Sequence, residues 1–89
     1  MRAIVTVVGK DQVGLTGKVA IVLSENEINI LDISQTILAD FFTMVMLVDT
    51  QKCNLEFTAL ADILRQKGEE CGVEVRIQRE DIFNAMHKI

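Results

Sequence analysis

The sequence predicts an α+β fold, a two-layer sandwich in which an antiparallel sheet carries two helices on one face in the order β-α-β-β-α-β. Three observations predict it. Two β-rich stretches, residues 3–8 and 41–48, are apolar at nearly every position and so belong in the middle of a sheet. Two other segments repeat their apolar residues at helical spacing, one between the first and second strands and one between the third and fourth. The chain has no proline and no low-complexity stretch in which a linker could lie.

Ala3-Ile4-Val5-Thr6-Val7-Val8 is rich in β-branched residues and gives way to Gly9, which marks a strand buried on both faces. Leu15, Val19, Val22 and Leu23 then recur on one stripe, with Lys18, Ser24 and Glu25 off it. The first helix is therefore expected over residues 13–26, with Asn26 as a left-handed stop. Residues 28–38 form a second strand whose polar positions do not keep a strict period of two, and a bulge near Asp32 reconciles its faces. Ala39-Asp40 makes a tight turn into the third strand, so the pair reads as a hairpin.

Asn54 is the expected N-cap of the second helix, with Glu56 in its first turn. Phe57, Leu60, Ala61, Leu64, Gly68 and Cys71 follow on one stripe, and Gly72 stands where a C′ glycine belongs. The fourth strand, Val73-Glu74-Val75-Arg76-Ile77-Gln78, alternates apolar and polar, so one of its faces meets water. The two strand-helix-strand halves make the split βαβ arrangement of ferredoxin-like folds, with sheet order 4-1-3-2 and both helices on one face. Strands one and three fall in the middle, as their composition demands. Residues 1–80 are expected to form this domain and residues 81–89 a short C-terminal helical extension. Its stripe of Ile82, Phe83, Met86 and Ile89 packs on its own domain, covers the sheet or docks on a partner subunit.

Composition narrows the function. A chain of 89 residues with 49% hydrophobic and 25% charged residues is one ordinary globular domain, small enough that self-association would add useful burial. The net charge of −4, with basic residues scattered from Arg2 to Lys88, argues against a nucleic-acid partner. Cys53 and Cys71 form no CxxC and there is one His, so a disulfide framework, a zinc site and a cofactor are not expected. No apolar run approaches the ~18 residues of a membrane span, and the N-terminal run is too short for a signal peptide. A cytoplasmic location is the expectation.

The joint Gly9-Lys10-Asp11-Gln12-Val13-Gly14-Leu15-Thr16-Gly17 is the local feature with chemical promise. It leads from a strand into a helix start, where unpaired backbone N–H groups and the helix dipole favour a carboxylate or phosphate. Gly14 lets the backbone approach a ligand closely. The alternative is a plain turn. A P-loop has the same gap between glycines but needs Lys where Leu15 stands. Other uses of this topology fail by absence. The first loop has no Cys pair for a metal chaperone and no arginine for an acylphosphatase, and the first strand has no aromatic for stacking RNA bases. No catalytic triad can be drawn, and His87 beside Lys88 reads as a solvated partner of a helix dipole. Asp32, Ser34 and Gln35 are ligand contacts or simply the polar residues of a solvated edge strand.

Asp11-Gln12-Val13-Gly14-Leu15 after the first strand, followed by Asn29-Ile30-x-x-Ile33-Ser34-Gln35-Thr36, resembles the ACT domain over residues 3–77. The pattern is similar to small stand-alone ACT proteins of bacteria and archaea and to the repeats of the glycine cleavage system transcriptional repressor. The resemblance implies a non-catalytic, ligand-sensing homodimer that pairs edge strand two across a two-fold to give an eight-stranded sheet, with an amino acid bound at the interface. Asp11, Val13, Gly14 and Leu15 would line the loop side of that pocket, and Asn29 and Ile30 would reach in from strand two. Backbone N–H groups near Gly14 would hold the carboxylate, and Asp11 or Asn29 would accept from the amino group. With no enzyme attached, output would pass through a protein target or the protein's own assembly, a tetramer included. A dimerisation or interaction module with no small ligand is the alternative.

Overall fold

The computed structural model describes residues 1–10 and 14–81. Its elements run β1 (Arg2–Lys10), α1 (Leu15–Glu25), β2 (Asn29–Leu38), β3 (Phe41–Asp49), α2 (Phe57–Glu70) and β4 (Val73–Arg79). The sheet order is β2-β3-β1-β4, and every neighbouring pair is antiparallel. This is the expected ferredoxin-like α+β architecture, with β1 and β3 central. Of the expected C-terminal extension only Asp81 is described; residues 82–89 lie outside the described residues.

Alternation on each strand sends one set of side chains to the helices. Ala3, Val5 and Val7 of β1, Phe42, Met44, Met46 and Val48 of β3, and Val73, Val75 and Ile77 of β4 are all buried. Leu15, Val19 and Leu23 of α1 and Leu60 and Leu64 of α2 close on them. Each such side chain contributes about 1.5–3 kcal/mol by leaving water, so this single apolar layer holds the fold. No polar or charged side chain is buried among the described residues.

On the opposite face Arg2, Ile4, Thr6 and Val8 of β1 stand across from Asp49, Leu47, Val45 and Thr43 of β3. Neither helix covers that side.

The bulge in β2 falls where the polar pattern placed it. Ile30 pairs with Val48 and Asp32 with Leu47, so Leu31 is the extra residue. Asp32 Oδ1 accepts the Ile33 N–H at 2.8 Å. Ala39 turns the hairpin at φ 57°, and Gly72 turns from α2 into β4 at φ 76°.

Three helix ends differ from the sequence reading. The described part of α1 begins at Leu15, with Gly14 as its N-cap. The left-handed residue after it is Glu27, at φ 59°, rather than Asn26. Asn26 instead donates its side-chain amide to the Val22 carbonyl at 2.8 Å. Helix α2 starts at Phe57 with Glu56 in extended conformation as its N-cap, so Asn54 caps nothing and Glu56 precedes the first turn. Phe57 packs half-buried against the core. That burial, which capping preferences do not contain, sets where the helix can begin.

Candidate functional site

Two clusters of candidate residues are assembled at opposite ends of β2. The first is the joint between β1 and α1. Gly14 has φ 78°, a left-handed conformation that glycine adopts without cost, and its carbonyl accepts the Lys18 N–H at 3.0 Å. No side chain caps the helix there and no acidic residue lies in its first turn. The amides at this start, with the helix dipole behind them, therefore offer donors and partial positive charge to an anion. Leu15 sits in the core at 2% exposure, so it can contribute backbone and not side chain to a ligand. Asp11 and Val13 lie outside the described residues.

Thr16 Oγ1 donates to Gln35 Oε1 at 3.2 Å, tying the start of α1 to the outer strand. The polar residues of strand two include Gln35, but nothing local in the sequence singled out Thr16. A partner nineteen positions away is a tertiary fact, and only the fold reveals it.

The second cluster surrounds Asn29. This exposed residue lines an open cleft of about 360 Å³ with Ser24, Glu27, Ile28, Asp49, Gln51 and Lys52. Asp49 Oδ1 accepts the Gln51 N–H at 2.9 Å, which shapes the turn after β3. Both signs of charge line the cleft, through Glu27 and Asp49 on one hand and Lys52 on the other. Ile30 is half-buried against the core. Sequence reading named Asn29 but not Ser24, Asp49, Gln51 or Lys52; the cleft is built from two stretches, 24–29 and 49–52.

Register shows how far apart the clusters are. Asn29 pairs with Asp49, which pairs with Arg2, while Leu38 pairs with Phe41, which pairs with Lys10. The ten residues of β2 span roughly 30 Å at ~3.3 Å per residue, so within one chain Gly14 and Asn29 occupy opposite ends of the sheet. One chain does not bring them together.

Between them runs the outer edge of β2, with a further apolar surface. Ile33 is 42% exposed and Ile37 58%, because α1 reaches only part of the way over the strand. A ten-residue edge with exposed β-branched residues invites pairing with another strand.

Among the described residues no group of His, Cys, Asp and Glu is placed to hold a metal ion, and no helix is long and apolar enough to cross a membrane. The family model of the ACT domain matches residues 2–78. The chain belongs to the ACT domain family. It is 51% identical to a UPF0237 protein of Listeria innocua, over 100% of both chains. The solved structure of an ACT domain protein from Streptococcus pneumoniae superposes with a TM-score of 0.84 at 40% identity, covering 98% of each chain. A putative glycine cleavage system transcriptional repressor shares the fold, with a TM-score of 0.73 at 20% identity over 86% of this chain and 44% of that one. ACT domains are regulatory, small-molecule-binding modules, so this ACT protein is a regulatory protein and not an enzyme.

Proposed function

We propose that this ACT protein senses an amino acid as a cytoplasmic homodimer sealed along β2. The observation that carries the reading is the position of Gly14 and Asn29 at opposite ends of one strand whose outer edge is unpaired among the described residues. Antiparallel pairing of two copies of β2 about a two-fold sets the Asn29 end of each copy beside the Gly14 end of the other. Two equivalent sites result, each half from one chain. The amides at the start of α1, near Gly14 and Leu15, receive the ligand carboxylate. Asp11, or the Asn29 carbonyl of the second copy, accepts from its amino group, with Val13 and Ile30 as apolar walls. No cofactor takes part.

The same pairing buries the exposed side chains of Ile33 and Ile37. Since this ACT protein has no catalytic machinery, the signal leaves through a protein target or through further assembly into a tetramer. Thermal-shift measurement with each of the twenty amino acids at millimolar concentration tests the reading. A ligand present at about 100 times its Kd adds about 2.7 kcal/mol of stability. If none of them raises the melting temperature, the sensor reading fails.

A second reading is favoured by the edge itself, whose exposed Ile33 and Ile37 serve dimerisation with or without a ligand. A homodimer that forms normally and responds to no amino acid would establish the ACT protein as an interaction module.

A further inference from the structure

We infer that the face of the sheet turned away from the helices is a self-association surface, on which a second copy of this chain packs sheet against sheet about a two-fold axis parallel to the strands. Register lays that face out in rows. Ile4 stands between Leu47 and Gln78, with Asp32 beyond Leu47. Thr6 stands between Val45 and Arg76, with Ser34 beyond Val45, and Val8 stands between Thr43 and Glu74, with Thr36 beyond Thr43. Val8 is 41% exposed, and Ile4, Thr6, Thr43, Val45 and Leu47 are half-buried. The two central strands therefore present an apolar strip between two polar flanks, the plan of an interface core and its rim. Two shallow depressions, one of about 160 Å³ touching Ile4, Val45 and Leu47 and one of about 320 Å³ touching Thr6, Val8 and Arg76, give the strip relief for opposing side chains.

Charge selects both the partner and its orientation. At the ends of the strip Arg2 stands opposite Asp49 and Lys10 opposite Phe41. An axis parallel to the strands and midway between β1 and β3 lays β1 on β3 of the second copy and β4 on its β2, keeping each row level. Arg2 then faces Asp49 of the second copy, Ile4 faces its Leu47, Gln78 faces its Asp32, and Arg76 faces its Ser34, one step from Asp32. Opposite signs meet, and no like charges are set face to face. Within its own chain Arg2 meets Glu80 at 2.9 Å and Asp49 meets the N-terminal amine at 3.6 Å, so the second copy extends exposed ion pairs already formed. An axis across the strands would instead set Arg76 on Arg76 and Arg2 on Lys10. A pattern that matches itself favours a copy of the chain over other partners, and the net charge of −4 repels an anionic membrane surface.

Sheets stack ~10 Å apart with strands aligned to within about 30°, and the half-buried side chains of the two strips interdigitate in that gap. Four strands ~4.8 Å apart, each about seven residues long at ~3.3 Å per residue, outline roughly 440 Å² on each copy and about 900 Å² in all. Stable interfaces bury about 1,200–2,000 Å², so the contact is a weak one that forms at high protein concentration or between chains joined elsewhere. It leaves the outer edge of β2 free, so this inference stands apart from the sensor reading.

Sedimentation equilibrium of the full chain carrying Ile33→Lys and Ile37→Lys, which weaken the edge contact, tests the inference. Reversible self-association at high micromolar to millimolar concentration is expected to remain, and adding Thr6→Glu should weaken it at least about tenfold. The new carboxylate stands beside Arg76 in its own chain, which accommodates it, while on Val45 of the second copy it is buried without a partner. A monomer at millimolar concentration before Thr6→Glu is added overturns the proposal, as does association that Thr6→Glu leaves unchanged in a variant of native circular dichroism. Isotope-filtered NOE spectroscopy on the unaltered chain gives a readout that no substitution disturbs. Between differently labelled chains, cross-peaks from the Ile4 to the Leu47 methyls and from the Val8 to the Thr43 methyls are expected. Their absence, or cross-peaks from Ile4 to Val8 in their place, overturns the proposal.

Discussion

Gly68→Ala should destabilise the ACT protein although it places a better helix former inside a helix. In an exposed helix interior the change is worth about 1 kcal/mol in favour of alanine. At Gly68, however, a Cβ would sit 2.6 Å from Val75 Cγ2 and 2.9 Å from the Val73 carbonyl oxygen. Val75 is buried at 6% exposure and its branched side chain has little rotamer freedom to yield. The carbonyl belongs to β4 and can give way only if α2 lifts off the sheet. Overpacking of this kind costs about 1–3 kcal/mol, which leaves a net loss of up to about 2 kcal/mol after the helix gain. Gly17→Ala is the control, because a Cβ there meets nothing within 4 Å. That variant should gain about 0.5–1 kcal/mol. The two substitutions, identical in chemistry, thus differ by about 2 kcal/mol, or roughly 10 °C in melting temperature for a domain of this size. Thermal and urea unfolding followed by circular dichroism, at one fixed protein concentration, measures the difference. If Gly68→Ala proves as stable as Gly17→Ala, the close approach of α2 to β4 is not what requires a glycine there.

Leu64→Ala, at a position 2% exposed, should cost about 2–5 kcal/mol in the same unfolding assay, because the two layers have no other side chain to fill the space. Ile33→Lys combined with Ile37→Lys should leave the far-ultraviolet circular dichroism unchanged, both positions being exposed in the single chain, and should weaken self-association at least about tenfold in sedimentation equilibrium. Gly14→Ala should lose about 1 kcal/mol from the left-handed backbone alone, at φ 78° with open space around the new methyl, and its amino-acid thermal shift should shrink. Asn29→Ala, at an exposed position, should change stability by less than about 0.5 kcal/mol while removing the ligand-induced shift and preserving the dimer.

The fold was legible because its signals are local and agree with one another. Strands 3–8 and 41–48 announced their central places by being apolar on both faces, Gly72 marked the end of α2, and the broken alternation around Asp32 located the bulge. The helix starts were less legible. Asn54 has the chemistry of a cap, yet Glu56 is the residue before the first turn, since the half-buried Phe57 decides where α2 meets the core. Likewise Glu27, not Asn26, takes the left-handed turn, and the Ile28 N–H bonds back to the Leu23 carbonyl at 3.0 Å. Of the candidate site, Gly14 could be named from local chemistry and Asn29 from the resemblance to the ACT domain. The cleft around Asn29 could not, because Ser24, Asp49 and Lys52 are gathered by strand pairing across distant parts of the chain.

Leu31 sets the phase of everything beyond it. Side chains on a strand alternate, so one supernumerary residue exchanges the two sets of positions from that point on. Because of it, Ile33, Gln35 and Ile37 fall on the side of α1, while Asp32, Ser34 and Thr36 fall on the other. Excising Leu31 alone would set Ile30 and Asp32 side by side against Val48 and Leu47, an unbroken ladder, so every side chain beyond would keep its face. The hydrogen bond between Thr16 and Gln35 would keep its acceptor. Loss of a ladder residue such as Ser34 would instead draw Leu31 into the ladder and exchange the faces of Asp32 and Ile33, so this outer strand should tolerate loss of Leu31 better than loss of a paired residue.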